Sequence, residues 1–385
     1  MFSSLVKYSA VLFLLNTIFF AVKGMSGYAG MIFMVFMILF AFLIVTNPSQ
    51  VKQVLLNRGF SFFLALNLIN ITYFLFFDDF NLKSLQYLLA RFVGLSIFSF
   101  SIFHNTDYFK TTFFKHLVYA SALLGILCLV LAPPSLSGRY MGIVGNPNEL
   151  GIVMVSGFAI CYICTDIKIP FRIPLMLMFA SIVLFSGSRG VIFGLALTFI
   201  IKHGFSFKLL AYGGLLAILA YMLSAYGLES GISRLSSGGD QLDNRSLEFK
   251  YAFITFLDKA LEGHGLGKYA YLNQELIPVD IKSNKLITNH SGYLSVMVQY
   301  GAIFASIFFF TVFRNVYRIT IDFLSYKVSP NFKKMYFFFI IYSLLSAVFE
   351  AVMTGINNFH TNILWFSMGM YLFVMYYNKE EKSIV

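Results

Sequence analysis

Residues 60–77 pass without a single charged side chain, and so do residues 28–51. Such stretches fit one environment. A helix closes its own backbone hydrogen bonds and presents apolar side chains outward, which suits a bilayer core requiring about 20 such residues per crossing. Twelve runs of this kind follow one another, at 5–22, 28–46, 60–77, 84–103, 115–132, 149–165, 172–187, 190–203, 208–226, 291–313, 335–354 and 361–377. Charged residues make up 12% of the chain, against roughly 25% in an average soluble domain. The polar surface is too small to cover soluble domains of 385 residues, which excludes a soluble enzyme. The expected fold is all-α: a polytopic integral membrane protein of about twelve transmembrane helices.

Lys and Arg number 28 against 17 Asp and Glu, a formal charge of +11. In a soluble protein that excess would raise nucleic-acid binding; here cytoplasmic loops collect it, and no nucleic-acid partner is expected. Lys52 and Arg58, Lys110 and Lys115, Lys168 and Arg172, Lys202 and Lys208 occupy alternate connections, followed by Arg314, Arg318, Lys327, Lys333 and Lys334, then Lys379 and Lys382. These mark a cytoplasmic face that also holds both termini. The opposite connections carry few cations, among them Lys23, Lys83, Arg139 and Arg189. The first run follows Lys7 and lacks a small-residue cleavage site, so it reads as a retained span.

This pattern divides the chain into helices 1–9 (1–226), a long outer loop (227–289), helices 10–12 (290–378) and a cytoplasmic tail (379–385). The loop has mixed charge and many Gly and Ser, and about 60 residues is marginal for an independent core. It should pack on the membrane domain as a lid or short helical segment. Ser186-Gly187-Ser188-Arg189-Gly190 separates the seventh and eighth runs. One continuous helix there would bury Arg189, so a tight turn or break is expected.

Polar residues at span ends or at membrane depth carry the functional information. Four clusters fall on the outer side. Arg139, Asn146, Pro147, Asn148 and Glu149 precede the sixth span; helix capping accounts for Asn146 and Pro147 but not for Arg139 or Asn148. Arg189 sits on a glycine-flanked turn, where it suits an anion or an interfacial headgroup. The long loop holds Arg245 and Gly263-His264-Gly265-Leu266-Gly267, which lacks the strand of a dinucleotide fingerprint. Thr288-Asn289-His290-Ser291-Gly292 opens the tenth span, where His290 reads as a cap or as a base. Within the spans, Glu350 in the eleventh and Arg91 in the fourth are the remaining candidates.

Several guanidinium groups and an imidazole facing a lipid-accessible cavity point to a diphosphate-bearing substrate, because Arg offers phosphate oxygens a fixed fork that stays charged. A neutral His can accept a hydroxyl proton. The outer side of a bacterial inner membrane lacks nucleotide sugars, so a transferase there would use a lipid-carried donor. Fixed cations can stabilise a departing lipid diphosphate without a metal. Asp78-Asp79 is an adjacent acidic pair without a third ligand, and Cys161 and Cys164 lie in an apolar run without a partner pair. Neither a metal site nor a cofactor is expected.

R-Y-M-G-I-V-G-N-P-N-E-L-G at 139–151, S-G-S-R-G at 186–190, R-S-L-E-F and G-H-G-L-G within 245–267, and H-S-G-Y-L with the later Gly301 resemble the O-antigen polymerase and O-antigen ligase family of membrane glycosyltransferases. The motifs cover residues 139–301; the remainder is similar by hydropathy. The resemblance implies a GT-C-like, metal-independent enzyme whose active site faces the periplasm across a bacterial inner membrane. By position it implies that Arg189 and Arg245 contact the diphosphate of an undecaprenyl-linked oligosaccharide and that His290 activates the acceptor hydroxyl. It implies that Arg139, Asn146 and Asn148 shape the site, with Glu350, His264 and Arg91 as further substrate-binding candidates. Phe249, Ser291 and Gln299 depart from the family pattern, which often has Trp, Asn and an acidic residue there. The N-P-N and H-x-x-Y-L elements favour a polymerase of surface polysaccharide; a ligase transferring the polymer to lipid A core is the alternative. A chain-length regulator and a flippase are the further partners such an enzyme would have. A flippase or transporter for the same sugars is the competing class, and would show matched breaks in two halves.

Overall fold

The computed structural model of the chain describes residues 2–134, 139–204, 239–278, 289–325 and 329–384. The ninth expected span, 208–226, and the loop segments 227–238 and 279–288 lie outside the described residues. Among the described residues the protein is helical, with one isolated antiparallel bridge between Val22 and Val144.

The chain runs through α1 (Phe2–Phe20), α2 (Ser26–Thr46), the short α3 (Pro48–Leu55), α4 (Ser61–Phe77), α5 (Leu82–Lys110) and α6 (Thr112–Leu131). It continues through α7 (Pro147–Ile163), α8 (Arg172–Ser186), α9 (Arg189–His203), α10 (Gly239–Asp258), α11 (Gly292–Ser325), α12 (Asn331–Ser346) and α13 (Phe359–Ile384). Five helical stretches are long and apolar enough to cross a membrane by themselves: Ser26–Thr46, Arg58–Phe77, Leu82–Lys110, Thr112–Leu131 and Gly292–Ser325. Val6–Phe20, Pro147–Ile163 and Arg172–Ser186 are shorter apolar helices.

Four boundaries differ from the hydropathy reading by several residues; one is the end of α13, which runs on past the expected 361–377 to Ile384 and so makes residues 379–384 of the expected tail helical. Helix α5 runs on past the expected 84–103 to Lys110, with a break in helical geometry at Asn105 (φ −147°, ψ 36°). Helix α11 extends to Ser325 and is kinked at Gly301, whose φ of 67° is accessible to glycine at little cost. Helix α12 ends at Ser346, so Glu350 stands in a non-helical connection, 347–358, and not inside a helix. Fixed donors hold that connection open. Arg91 donates to the carbonyls of Met353 (3.0 Å) and Gly355 (3.3 Å), and Tyr87 donates to that of Thr354 (3.1 Å). Backbone groups freed from a helix in an apolar interior need such partners. Asn358 then restarts the helix, its Oδ1 accepting from the backbone N–H of His360 at 2.8 Å.

Helix α13 forms the centre of the bundle: every residue from 359 to 375 is buried. So is every residue of α7 from 150 to 161, where two glycines admit close neighbours. A Cβ at Gly151 would meet Val191 of α9 at 2.7 Å, and one at Gly157 would meet Phe179 of α8 at 2.8 Å. Helix packing in lipid rests on such small-residue contacts, since apolar surface by itself drives no association there. Helix α2 is peripheral, with Met31, Met34, Val35, Ile38, Phe42 and Val45 exposed on its outer face.

Alternation of the helices gathers the C-terminal ends of α1, α4, α6, α8 and α12 with the N-terminal ends of α2, α5, α7, α9, α11 and α13. Hydrogen bonds tie this end together: Gly145 N–H to the Ala21 carbonyl (2.9 Å), Tyr140 N–H to that of Phe185 (3.0 Å) and Gly292 N–H to that of Ala347 (2.7 Å).

Candidate functional site

Pro147 occupies the first turn of α7, and Asn146 caps it, its Oδ1 accepting from the Asn148 N–H at 2.8 Å. The cap therefore leaves the Asn148 side chain free to reach outward. Asn148 Oδ1 accepts from Arg139 Nη2 and Asn148 Nδ2 donates to Glu350 Oε1, both at 2.5 Å. One amide thus bridges a cation and a carboxylate, each end matched to its partner. Arg139 is anchored from the other side, with Nε donating to the Ser186 carbonyl at 3.0 Å. That carbonyl closes α8 where Gly187 adopts φ 58°, so the expected break at 186–190 is a tight turn with Arg189 exposed at the first position of α9.

From the loop, α10 brings Arg245, whose Nη1 lies 3.2 Å from both Glu248 Oε2 and the Phe349 carbonyl. His290 enters beside it on the segment before α11. Capping of α11 falls to its neighbours: Ser291 Oγ accepts from the Leu294 N–H at 3.3 Å, and Asn289 Oδ1 from the Ser291 N–H at 3.1 Å. Arg139, Asn148, Arg245, His290 and Glu350 thus converge from five chain segments. Arg189 belongs to the turn that anchors Arg139.

Burial and charge set the acidities. Burial pushes the Glu350 carboxyl up to about 7, offset in part by Arg245, the Asn148 hydrogen bond and Arg139, while Glu149 adds to the rise. Burial and the nearby Arg245 lower His290 from its ordinary value, which favours the neutral imidazole. Glu248 is raised by burial and held down by Arg245. The cluster therefore combines fixed cations with a carboxyl that titrates near neutrality and an imidazole held toward its neutral form. Among the described residues no three His, Cys, Asp or Glu side chains gather as a metal site.

Two candidates stand elsewhere. Arg91 is 5% exposed, stacks 5.0 Å over the Trp365 ring and turns its two terminal nitrogens to the unwound connection. His264 lies against α10, its ring Nε2 donating to the Thr255 carbonyl at 2.7 Å and 3.9 Å from Asp258. Its glycine-rich loop is clamped into the bundle. Leu266 N–H donates to Asp78 Oδ2 (2.6 Å), Gly267 N–H to Ser84 Oγ (3.0 Å), and Gln299 Nε2 to the Leu266 carbonyl (2.5 Å). Gly263 and Gly301 approach so closely that a Cβ on Gly301 would stand 2.4 Å from the Leu261 carbonyl oxygen.

Sequence reading passed over a second polar group beside the cluster. Glu149 lies 3.5 Å from Asn358 Nδ2, and the pair lines a cavity of about 10 Å³ with Thr17 and His360, room for one water. His360 is buried, and neither ring nitrogen has a hydrogen-bond partner among the described residues. The available signal was Asn357-Asn358 interrupting two apolar runs.

No protein-family model matches this chain. No curated protein matches it either.

Proposed function

We propose that the protein is a surface-polysaccharide polymerase of the bacterial inner membrane, a glycosyltransferase that uses an undecaprenyl-diphosphate-linked glycan as donor and the sugar hydroxyl of a second lipid-linked repeat unit as acceptor. One observation carries this reading. Arg139, Arg245, His290 and Glu350, up to 211 positions apart, meet at one end of an apolar helical bundle. Fixed guanidinium groups suit a leaving lipid diphosphate, and a proton acceptor beside them suits an attacking hydroxyl. On this reading the bundle has about twelve spans, with the site toward the periplasm and both termini in the cytoplasm. Lys52, Arg58, Lys110, Lys115, Lys168, Arg172, Lys333 and Lys334 all cluster at the helix ends opposite the site, which supports that orientation.

A ligase delivering the finished chain to lipid A core would use the same donor chemistry. The lipopolysaccharide of a deletion strain separates the two. Loss of the ladder with a one-repeat band retained is expected for the polymerase, and bare core with accumulated lipid-linked polymer would establish the ligase. An unchanged gel would overturn the O-antigen assignment. Reporter fusions after residues 166, 204 and 316 should each report cytoplasm; a periplasmic signal at any of them overturns the orientation.

A further inference from the structure

We propose that Glu350 is the catalytic base of this site, the group that receives the acceptor hydroxyl's proton, with Asn148 as its positioning residue. The inference rests on the glycosyl-transfer reading above.

Position comes first. Because α12 ends at Ser346, the connection turns Glu350 toward the His290 segment: a Cβ on Gly292 would stand 3.0 Å from the Glu350 carbonyl oxygen. Asn148 fixes Oε1 at 2.5 Å, and Oε2 has no hydrogen-bond partner among the described residues, so one carboxylate oxygen is held and the other carries no fixed donor. The charged and titratable groups facing this carboxylate are Arg245 of α10, Arg139 of the segment before α7, Glu149 of α7 and Tyr342 of α12. Base and cation cluster are therefore one assembly.

Burial separates Glu350 from His290 as the base. Arg245 opposes a proton on either group and a diphosphate favours one on either, but loss of water penalises the charged form. Burial therefore disfavours the proton on His290, which would become a cation, and favours it on Glu350, which becomes a neutral acid held by Asn148. In the step itself the acceptor oxygen bonds to the anomeric carbon while the bond from that carbon to the phosphate oxygen breaks. The electron pair leaves on the lipid diphosphate beside the arginines, and the hydroxyl proton passes to Glu350 Oε2, from which it returns to water. The carboxyl's near-neutral acidity is suited to both halves of that cycle.

The experiment uses the full-length protein in nanodiscs and lipid-linked repeat units extracted from a deletion strain, with chain extension followed across pH 5.5 to 8.5. Wild type should extend the glycan with a rate that falls as pH drops through about 7. Glu350→Gln should lose roughly 10² to 10⁴-fold, the usual range for a removed general base, and Glu350→Asp should keep part of the rate. His290→Gln should keep the acid limb. If wild type extends chains and Glu350→Gln stays within threefold of it, the base assignment is overturned while the glycosyl-transfer reading stands. If wild type does not extend the chains, the glycosyl-transfer reading fails. Should Glu350→Gln not be recovered folded, Asn148→Ala decides: a displaced acid limb supports the assignment, and an unmoved limb with an unchanged rate overturns it.

Discussion

Two glycine- and histidine-bearing regions lie at the same end of the bundle, and they are built oppositely. In the loop Gly263–Gly267 each backbone N–H has a fixed acceptor, the Asp78 carboxylate taking that of Leu266, and the His264 ring is held by the Thr255 carbonyl. Around Asn148 the polar groups face one another as charges, with Arg139, Arg245 and Glu350 brought together from distant segments. The first arrangement uses hydrogen bonds to fix the backbone. The second holds a partly desolvated carboxylate among cations, an arrangement that stabilises folding little and suits chemistry. A motif's residue types do not distinguish these cases; the partners do.

The largest expected effect lies in the charged region. Arg245→Ala should lower glycan extension by roughly 10² to 10³-fold, the range for removing one electrostatic contact to a developing charge, with the melting temperature of the purified protein little changed. Retained extension would erase the contrast between the two regions. Gly301→Ala tests the clamp: a side chain at φ 67° and 2.4 Å from the Leu261 carbonyl oxygen must displace the loop. A loss on the order of 3 kcal/mol is expected in thermal or denaturant unfolding. An Ala variant as stable as wild type would show that the loop is not held there.

Next in size is a pH effect. A carboxyl raised in the folded protein above its ordinary value stabilises the fold at low pH, and that contribution is lost as pH rises toward the folded value of about 7. Glu350→Gln removes this loss, so between pH 5.5 and 8.5 the variant should gain stability relative to wild type, by at most about 2 kcal/mol. Parallel melting curves for the two proteins would refute the raised acidity. The smallest effect belongs to His264→Ala, which removes the ring's hydrogen bond to the Thr255 carbonyl. It should cost about 1–2 kcal/mol of stability and leave extension of surviving protein unchanged. A specific activity reduced tenfold without destabilisation would move His264 into the reacting region.

Much of the helical order was legible because bilayer-length apolar runs and turn residues are local signals. Pro147 with Asn146 marked the start of α7, and Ser186–Gly190 marked a break. The end of α12 was hidden, since Ala347, Val348, Phe349, Ala351, Val352 and Met353 continue an apolar run. What unwinds it is Arg91, more than 260 positions away. Equally hidden was the bond from Asn148 to Glu350, because hydropathy places neither side chain relative to the other.

By itself the sequence determined an apolar helical chain with its excess positive charge in alternate connections, because hydrophobic run length and charge placement are properties of neighbouring residues. Only the tertiary structure decided which polar residues are matched and which are left facing one another. That depends on contacts between segments far apart in the chain. A buried charge keeps or changes its proton according to the partners those contacts supply.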